Sequence, residues 1–111
     1  MRLRSDFWVS AYLRRCESEG VFAVLRHRGA AEAGAIAIKL DCLDGTSALY
    51  LPAPQSEMTE GVERMWSRAH AAPFKDNAEI DSQIMRQLSF DPDLWVVEIE
   101  DRQGRHFLDV A

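Results

Sequence analysis

Two glutamates near the C-terminus are the side chains whose type and spacing could support catalysis. Glu98 and Glu100 alternate with apolar residues, so in a β-strand they project from one face about 7 Å apart. That separation falls within the range of the paired carboxylates of inverting glycosidases. Any Glu-x-Glu in a strand gives the same distance, however, so a solvated or salt-bridged face of the sheet is the alternative interpretation.

His106 adds a candidate for acid–base chemistry. If the turn at residues 101–104 closes a hairpin with a three-residue loop, so that Asp101 lies opposite Arg105, Glu100 lies opposite His106. A carboxylate beside an imidazole raises the pKa of the ring and orients it, as general acid–base catalysis requires. Cross-strand charge pairs are also ordinary stabilisers of sheets. The candidate polar site, the pocket of a small enzyme or ligand-binding domain, comprises four residues: Arg64, Glu98, Glu100 and His106.

The sequence contains no recognisable metal, phosphate or nucleophile motif. His27, His70 and His106 share no short spacing with one another or with the cysteines. The six glycines are scattered, and none opens a helix after a strand as a phosphate loop requires. Cys16 and Cys42 each fall on a predicted apolar face, which is typical of buried thiols. We therefore predict no metal and no cofactor, and buried thiols with a disulfide between the two cysteines as the alternative.

Length and composition predict one globular domain over residues 1–111. A chain of 111 residues with 47% hydrophobic residues and three tryptophans can bury a core without staples. No apolar run approaches the roughly 20 residues that a membrane helix needs. The N-terminus also lacks the apolar core of a signal peptide. We expect a cytoplasmic protein that does not enter a membrane.

Charge is distributed unevenly along the chain. Residues 1–28 carry six arginines against three acids, and residues 76–111 carry nine acids against three arginines. Either the two ends meet within one molecule, or the basic end binds an acidic partner or a second copy. The candidate interaction surface comprises four arginines: Arg2, Arg4, Arg14 and Arg15. We favour a non-catalytic protein-interaction module, with an unknown protein partner or self-association.

Nucleic acid is a weaker alternative for the basic end. Trp8 and Tyr12 lie among these arginines, and stacking combined with positive charge is typical of proteins that bind single strands. The net charge of −5 argues against this partner.

The stretch over residues 88–107 has the clearest structural pattern. Pro92 disfavours helix at the residue before it, so a helix should end near Phe90. The side chains that follow divide into an inward set and an outward set: Trp95, Val97 and Ile99, then Val96, Glu98 and Glu100. Gly104 would close a three-residue hairpin loop that places Ile99 opposite Phe107. This pattern predicts a central strand followed by a hairpin.

Two helices are predicted from capping residues and apolar spacing. The first begins at the N-cap Ser5 and ends at Gly20. Its sheet-packing stripe comprises five residues: Trp8, Val9, Tyr12, Leu13 and Cys16. The second opens with a capping box formed by Asp76 and Glu79 and runs to Phe90.

The remaining strands follow from β-branched residues and turn signals. They are predicted over residues 21–27, 34–43 and 46–51. Asp44-Gly45 is typical of a two-residue hairpin, which would place Leu40 opposite Leu49. Residues 52–61 are expected to form a mobile loop, and 62–68 are ambiguous between strand and helical turn, with strand favoured. We therefore predict an α+β fold, a mostly antiparallel sheet of about five strands with one helix on each face.

Several stretches resemble one bacterial family. They are Phe90-Asp91-Pro92-Asp93-Leu94-Trp95, Glu98-Ile99-Glu100-Asp101-Arg102 and Gly104-Arg105-His106-Phe107, together with residues 8–15 and 43–46. They are similar to the recognisable stretches of a small alphaproteobacterial family of uncharacterised proteins, known as a domain of unknown function. The resemblance implies a stand-alone bacterial domain and supplies no catalytic residue or cofactor.

Overall fold

A six-stranded sheet with one helix on each face forms the fold of this chain. The computed structural model describes residues 3–53 and 64–110. Its elements are α1 (Ser5–Ser18), β1 (Phe22–His27), β2 (Ile36–Asp41), β3 (Thr46–Pro52), β4 (Trp66–Arg68), β5 (Lys75–Asp76), α2 (Asn77–Phe90) and β6 (Trp95–Glu100). The strands lie in the order β1-β6-β2-β3-β4, and β5 also pairs with β3. Among these strands every pair is antiparallel except β2 with β6. The α+β class is confirmed, with six strands rather than about five.

β6 is an interior strand between β1 and β2, and its two faces follow the predicted alternation. Trp95, Val97 and Ile99 join the apolar cluster under α1, whereas Val96 joins the cluster under α2. The outward set was expected to meet water, but Glu98 is only 7% exposed. That expectation is wrong because neighbouring strands and α2 surround the glutamate face as well.

The prediction of a hairpin after β6 is wrong, although the predicted turn at residues 101–104 forms. Gly104 takes φ +73°, and its N–H donates to the Asp101 carbonyl over 3.1 Å. The Asp101 carboxylate accepts from the backbone N–H of Arg105 over 2.7 Å and from its guanidinium over 3.0 Å. These guanidinium and amide donors hold the pKa of Asp101 below its usual range.

Strand pairing explains why no hairpin follows that turn. β1 pairs with one edge of β6 and β2 with the other, so no backbone hydrogen bonds remain for a returning strand. The predicted pairings of Glu100 with His106 and of Ile99 with Phe107 therefore do not occur. The C-terminal residues instead cross the α1 face, where Val110 forms a single bridge to Trp66.

One helix packs on each face, as predicted. α1 buries Val9 and Tyr12 in the cluster that contains Trp95. α2 buries Ile80 and Ile84 against the other face of the sheet. Both faces of the central strands are therefore dry, which is typical of a sheet between two helical layers.

The predicted N-cap at Ser5 is wrong. Ser5 is the first residue of α1, and its hydroxyl donates to the Gly34 carbonyl over 2.6 Å. The backbone N–H groups of Ser5 and Asp6 donate to the carbonyls of Glu32 and Ala31. A loop distant in sequence thus satisfies the free amides that a local side chain was expected to cap.

The N-terminus of α2 also lacks the predicted side-chain cap and is satisfied by a distant backbone carbonyl. Asp76 occupies the N-cap position, but its side chain makes no capping bond, so the predicted capping box with Glu79 does not form. The N–H of Asn77 donates instead to the Gly45 carbonyl over 3.1 Å. The prediction at the other end of α1 is confirmed, because Gly20 takes the left-handed φ of +75° directly after the helix.

The hairpin loop between β2 and β3 is closed by the pair Cys42 and Thr46, so it has three residues (43–45) rather than the predicted two. The N–H of Cys42 donates to the Thr46 carbonyl over 3.0 Å, and Leu43 between them takes φ +62°. Two carboxylates support this loop: Asp41 accepts from the Leu43 N–H, and Asp44 accepts from the N–H and hydroxyl of Thr46. These local bonds favour the longer loop.

The extra loop residue shifts the register of the hairpin by one. Leu49 lies opposite Lys39 rather than Leu40, and Leu40 lies opposite Ala48. Since a shift of one residue moves a side chain to the other face, Leu49 packs under α2.

Three further predictions can be placed. The strand favoured over residues 62–68 is present as β4 from Trp66, while residues 62–63 and most of the 52–61 loop lie outside the described residues. Cys16 and Cys42 are buried free thiols, as predicted. Neither described helix has the length and apolar character to span a bilayer.

Lys39 links α2 to the sheet through ion pairs. Its side chain rises from β2 and is almost fully buried, with Nζ 2.8 Å from the Asp81 carboxylate of α2. The same Nζ lies 3.7 Å from the Glu98 carboxylate, which also contacts Arg26 over 3.1 Å. The four charges form a chain from β1 across the sheet to α2.

The substitution Ile99→Ala should lower the free energy of unfolding by about 2–5 kcal/mol, because it leaves a cavity in the middle of the α1-side core. Urea denaturation followed by tryptophan fluorescence measures this change. Phe90→Ala is the control, since Phe90 is 87% exposed and its loss should change stability by less than about 0.5 kcal/mol. Equal effects of the two substitutions would contradict the assignment of the core.

Lys39→Met should lower the free energy of unfolding by about 3 kcal/mol, because it removes a cation that contacts the buried Glu98 carboxylate and leaves that carboxylate its contact with Arg26. In a double-mutant cycle with Glu98→Gln, the coupling between the two positions should reach about 1–3 kcal/mol. The control cycle replaces Arg26, whose side chain is 57% exposed, and its coupling to Glu98 should stay below about 1 kcal/mol. Additive effects of Lys39→Met and Glu98→Gln would contradict a stabilising interaction between Lys39 and Glu98.

Candidate functional site

One stripe along α1 and its N-cap residue faces the C-terminal segment of the chain. Its residues recur at spacings of three and four, so they share one face of the helix. They are Arg4, Phe7, Trp8, Ala11, Tyr12 and Arg15. Trp8 and Tyr12 belong both to this stripe and to the predicted sheet-packing stripe, so they lie at the boundary between core and surface.

The C-terminal segment and β4 form the opposite wall of a groove. Phe107, Leu108 and Asp109 face the α1 stripe, and Arg64 and Trp66 close one end. The groove has a volume of about 700 Å³, within the range of cavities that bind ligands. It is a concave surface between a helix and a segment with no regular structure.

Aromatic rings line the floor of the groove. The rings of Trp8 and Tyr12 stack with centroids 4.9 Å apart, and Trp66 lies 5.1 Å from Trp8. At the rim, Phe7 is 56% exposed and Leu3 is 49% exposed. The groove therefore presents apolar area to solvent at its rim and an aromatic floor within.

Three arginines set the charge of the groove. The guanidinium of Arg15 lies over the Phe107 ring at 5.1 Å, and Arg4 lies over the ring of Phe7 at the same distance. Arg64 donates to the Leu3 carbonyl and to the Ser5 hydroxyl. Asp109 contributes the one carboxylate among the described lining residues. The three arginines leave the lining net positive, in a chain whose net charge is −5. The guanidinium of Arg4 is also paired with Asp6, just outside the lining, over 3.2 Å.

His106 holds the C-terminal wall in position. The Tyr12 hydroxyl donates to the His106 carbonyl over 2.8 Å, and the Leu108 N–H donates to Nδ1 of the imidazole over 3.0 Å. The imidazole also packs on Tyr50, with ring centroids 4.8 Å apart. Burial lowers the pKa of His106 from its usual value.

Glu98 and Glu100 lie on the opposite face of the sheet from this groove. There they meet Asp41, and the three carboxylates offer oxygens within 4.8 Å of one another. The parallel pairing of β2 with β6 brings Asp41 beside Glu100. Hard divalent cations favour such oxygen sets, but Arg26 and Lys39 already neutralise Glu98.

The four residues of the predicted polar site are therefore not brought together. Glu98 and Glu100 lie on the α2 side of the sheet, whereas His106 and Arg64 lie on the α1 side. The sequence prediction depended on a hairpin that would have placed Glu100 beside His106. That hairpin is absent since both edges of β6 are occupied.

The predicted arginine surface is partly assembled. Arg4 and Arg15 line the groove, whereas the exposed Arg14 is not a lining residue. Arg2 lies outside the described residues. Arg26, also from the basic end of the sequence, meets Glu98 from the acidic end within the molecule. The contact between Arg26 and Glu98 is an instance of the two ends meeting within one molecule, and binding of an acidic partner by the basic end stays a prediction.

Sequence reasoning did not identify several groove residues. Phe7 and Ala11 could have been found from their spacing of three and four to Arg4 and Arg15. Phe107 and Leu108 carry no local signal for this role, because their position depends on strand order.

Comparison with known proteins identifies the family. The family described as "Protein of unknown function (DUF1491)" matches residues 3–109. A search of curated proteins found no match. The crystal structure of a DUF1491 family protein from Caulobacter crescentus is 40% identical with a TM-score of 0.81, covering 100% of this chain and 99% of that one. A solution structure from A. tumefaciens is 39% identical with a TM-score of 0.84, covering 100% and 96%. Both organisms are alphaproteobacteria, which confirms the resemblance noted in the sequence. The chain belongs to the DUF1491 family.

Proposed function

We propose that this chain is a non-catalytic interaction module whose groove binds an acidic, amphipathic segment of another protein. The observation that carries this proposal is the composition of the groove, in which aromatic rings and arginines converge on one concave surface. Tyrosine, tryptophan and arginine are the residues that dominate binding energy at protein interfaces. A groove beside a helix also has the shape that receives a short peptide segment.

The positions of the charges indicate how such a segment would bind. Its apolar side chains would cover Phe7 and the half-exposed face of Trp8. Its carboxylates would pair with Arg15, which stands along the α1 wall and can donate two hydrogen bonds to one carboxylate. Arg4 would contribute less, because its guanidinium already donates to both carboxylate oxygens of Asp6 over 3.2 Å. Asp109 on the other wall would repel carboxylates, so the acidic side of the segment should face α1.

A small enzyme or ligand-binding domain is the second candidate function. The observation that favours it is the convergence of Asp41, Glu98 and Glu100 on the α2 side of the sheet. His106 would take no part in that site, since it lies on the other side of the sheet. An NMR screen of small ligands distinguishes the two functions, because shifts would centre on Glu98 and Glu100 rather than on the groove.

Arg15→Glu should weaken binding of an acidic amphipathic peptide by at least about tenfold, because it places like charge on the peptide's side of the groove. The measurement is fluorescence anisotropy with labelled peptides of about twelve residues that combine Glu and Asp with Leu and Phe. Arg14→Glu is the matched control. It makes the same change in net charge one residue away, outside the groove lining, and should weaken binding by less than about threefold.

Three outcomes would overturn this proposal. Equal losses from Arg14→Glu and Arg15→Glu would show non-specific attraction. Tighter binding of a labelled single-stranded oligonucleotide than of any peptide would identify nucleic acid as the partner. A mass that rises with concentration at low salt in light scattering, and that Arg15→Glu returns to the monomer, would identify a second copy of the chain.

A further inference from the structure

We propose that His106 makes the groove sensitive to pH: the neutral imidazole holds the C-terminal wall in place, and protonation of the ring releases it. The inference rests on the proposed function, since it describes how binding in that groove is regulated. Its evidence is the set of contacts that His106 makes with its own segment, with α1 and with β3.

The hydrogen bond to Leu108 fixes the protonation state of the ring. Because the Leu108 N–H donates to Nδ1 over 3.0 Å, Nδ1 must carry a lone pair, and the ring proton belongs on Nε2. A protonated imidazole carries N–H groups on both nitrogens. Protonation therefore turns the acceptor into a donor that faces another donor, and the bond is lost.

This bond spans a residue held in an unfavourable conformation. Phe107 takes φ +59°, in the left-handed region, which is unfavourable for a residue with a side chain. The bond from the Leu108 N–H back to the side chain of His106 closes the turn around Phe107. When that bond is lost, the backbone at Phe107 is free to relax, and its ring leaves the position under Arg15.

The tyrosines and arginines around the imidazole keep their charge in the pH range in which histidine titrates. The charged or titratable residues around it are Tyr12 and Arg15 of α1, Tyr50 of β3, Arg68 of β4, and Arg105 and Asp109 of its own segment. Burial raises the pKa of both tyrosines, and arginine keeps its charge, so the tyrosines and arginines of this set do not change charge between about pH 5 and pH 7.5.

The direction of the effect follows from the lowered pKa of His106. A histidine with a lowered pKa in the folded state binds fewer protons than it does in the unfolded chain. Its stabilising contribution is therefore complete above the ordinary histidine pKa of about 6.5 and declines as the pH falls through the lowered value. The wall should be ordered at neutral pH and released in acid.

The test compares wild type with His106→Asn. Asparagine can accept the same bond through Oδ1, which occupies nearly the position of Nδ1 and commonly accepts from the N–H two residues ahead, but it does not titrate. Anisotropy with the acidic peptides should show wild-type affinity falling at least about tenfold from about pH 7.5 to about pH 5. For His106→Asn the same change in pH should alter affinity by less than about twofold. An equal loss in the two proteins would overturn the inference, because the pH dependence would then arise outside His106.

A second measurement needs no peptide and no variant. In an NMR pH titration of the wild-type protein, the Leu108 amide should shift and exchange faster with the same midpoint as the His106 imidazole. A Leu108 amide that stays unchanged while His106 titrates would also overturn the inference. If the wild-type protein binds no acidic peptide at about pH 7.5, the proposed function fails, while this titration still decides whether protonation releases the wall.

Discussion

Hydrogen bonding along both edges of β6 is the constraint on which the rest of this structure depends. β1 pairs with one edge in the antiparallel direction and β2 with the other in the parallel direction. The strand is also buried on both faces, with Trp95 and Ile99 toward α1 and Val96 toward α2. A strand enclosed on four sides fixes where each helix packs and leaves the following residues no place in the sheet.

The groove is a consequence of that exclusion. Because the chain after Gly104 cannot return along β6, it crosses the α1 face and places Phe107 opposite the helix. Tyr12 connects the two walls through its bond to the His106 carbonyl. The groove thus depends on two segments from opposite ends of the sequence, and neither segment forms it alone.

The other face of the sheet shows how the fold accommodates charge in its interior. Glu98 and Lys39 are neighbours across β6 and β2, and each also contacts a charge nearer the surface, Arg26 and Asp81 respectively. Buried ions are tolerated when they are paired and hydrogen-bonded. The acidic and basic ends of the sequence are therefore joined at this face, while Arg4 and Arg15 remain in the groove on the other.

The amino-acid sequence by itself determined the strand over residues 95–100, both helices and the α+β class. Alternation over residues 95–100, the proline after Phe90 and the glycine at position 20 act through sterics and periodicity, which are local. Only the tertiary structure decided strand order, the caps at Ser5 and Asp76, and the separation of Glu100 from His106. Each of these depends on which distant backbone groups satisfy one another, and hydrogen bonds between distant segments leave no pattern in neighbouring residues.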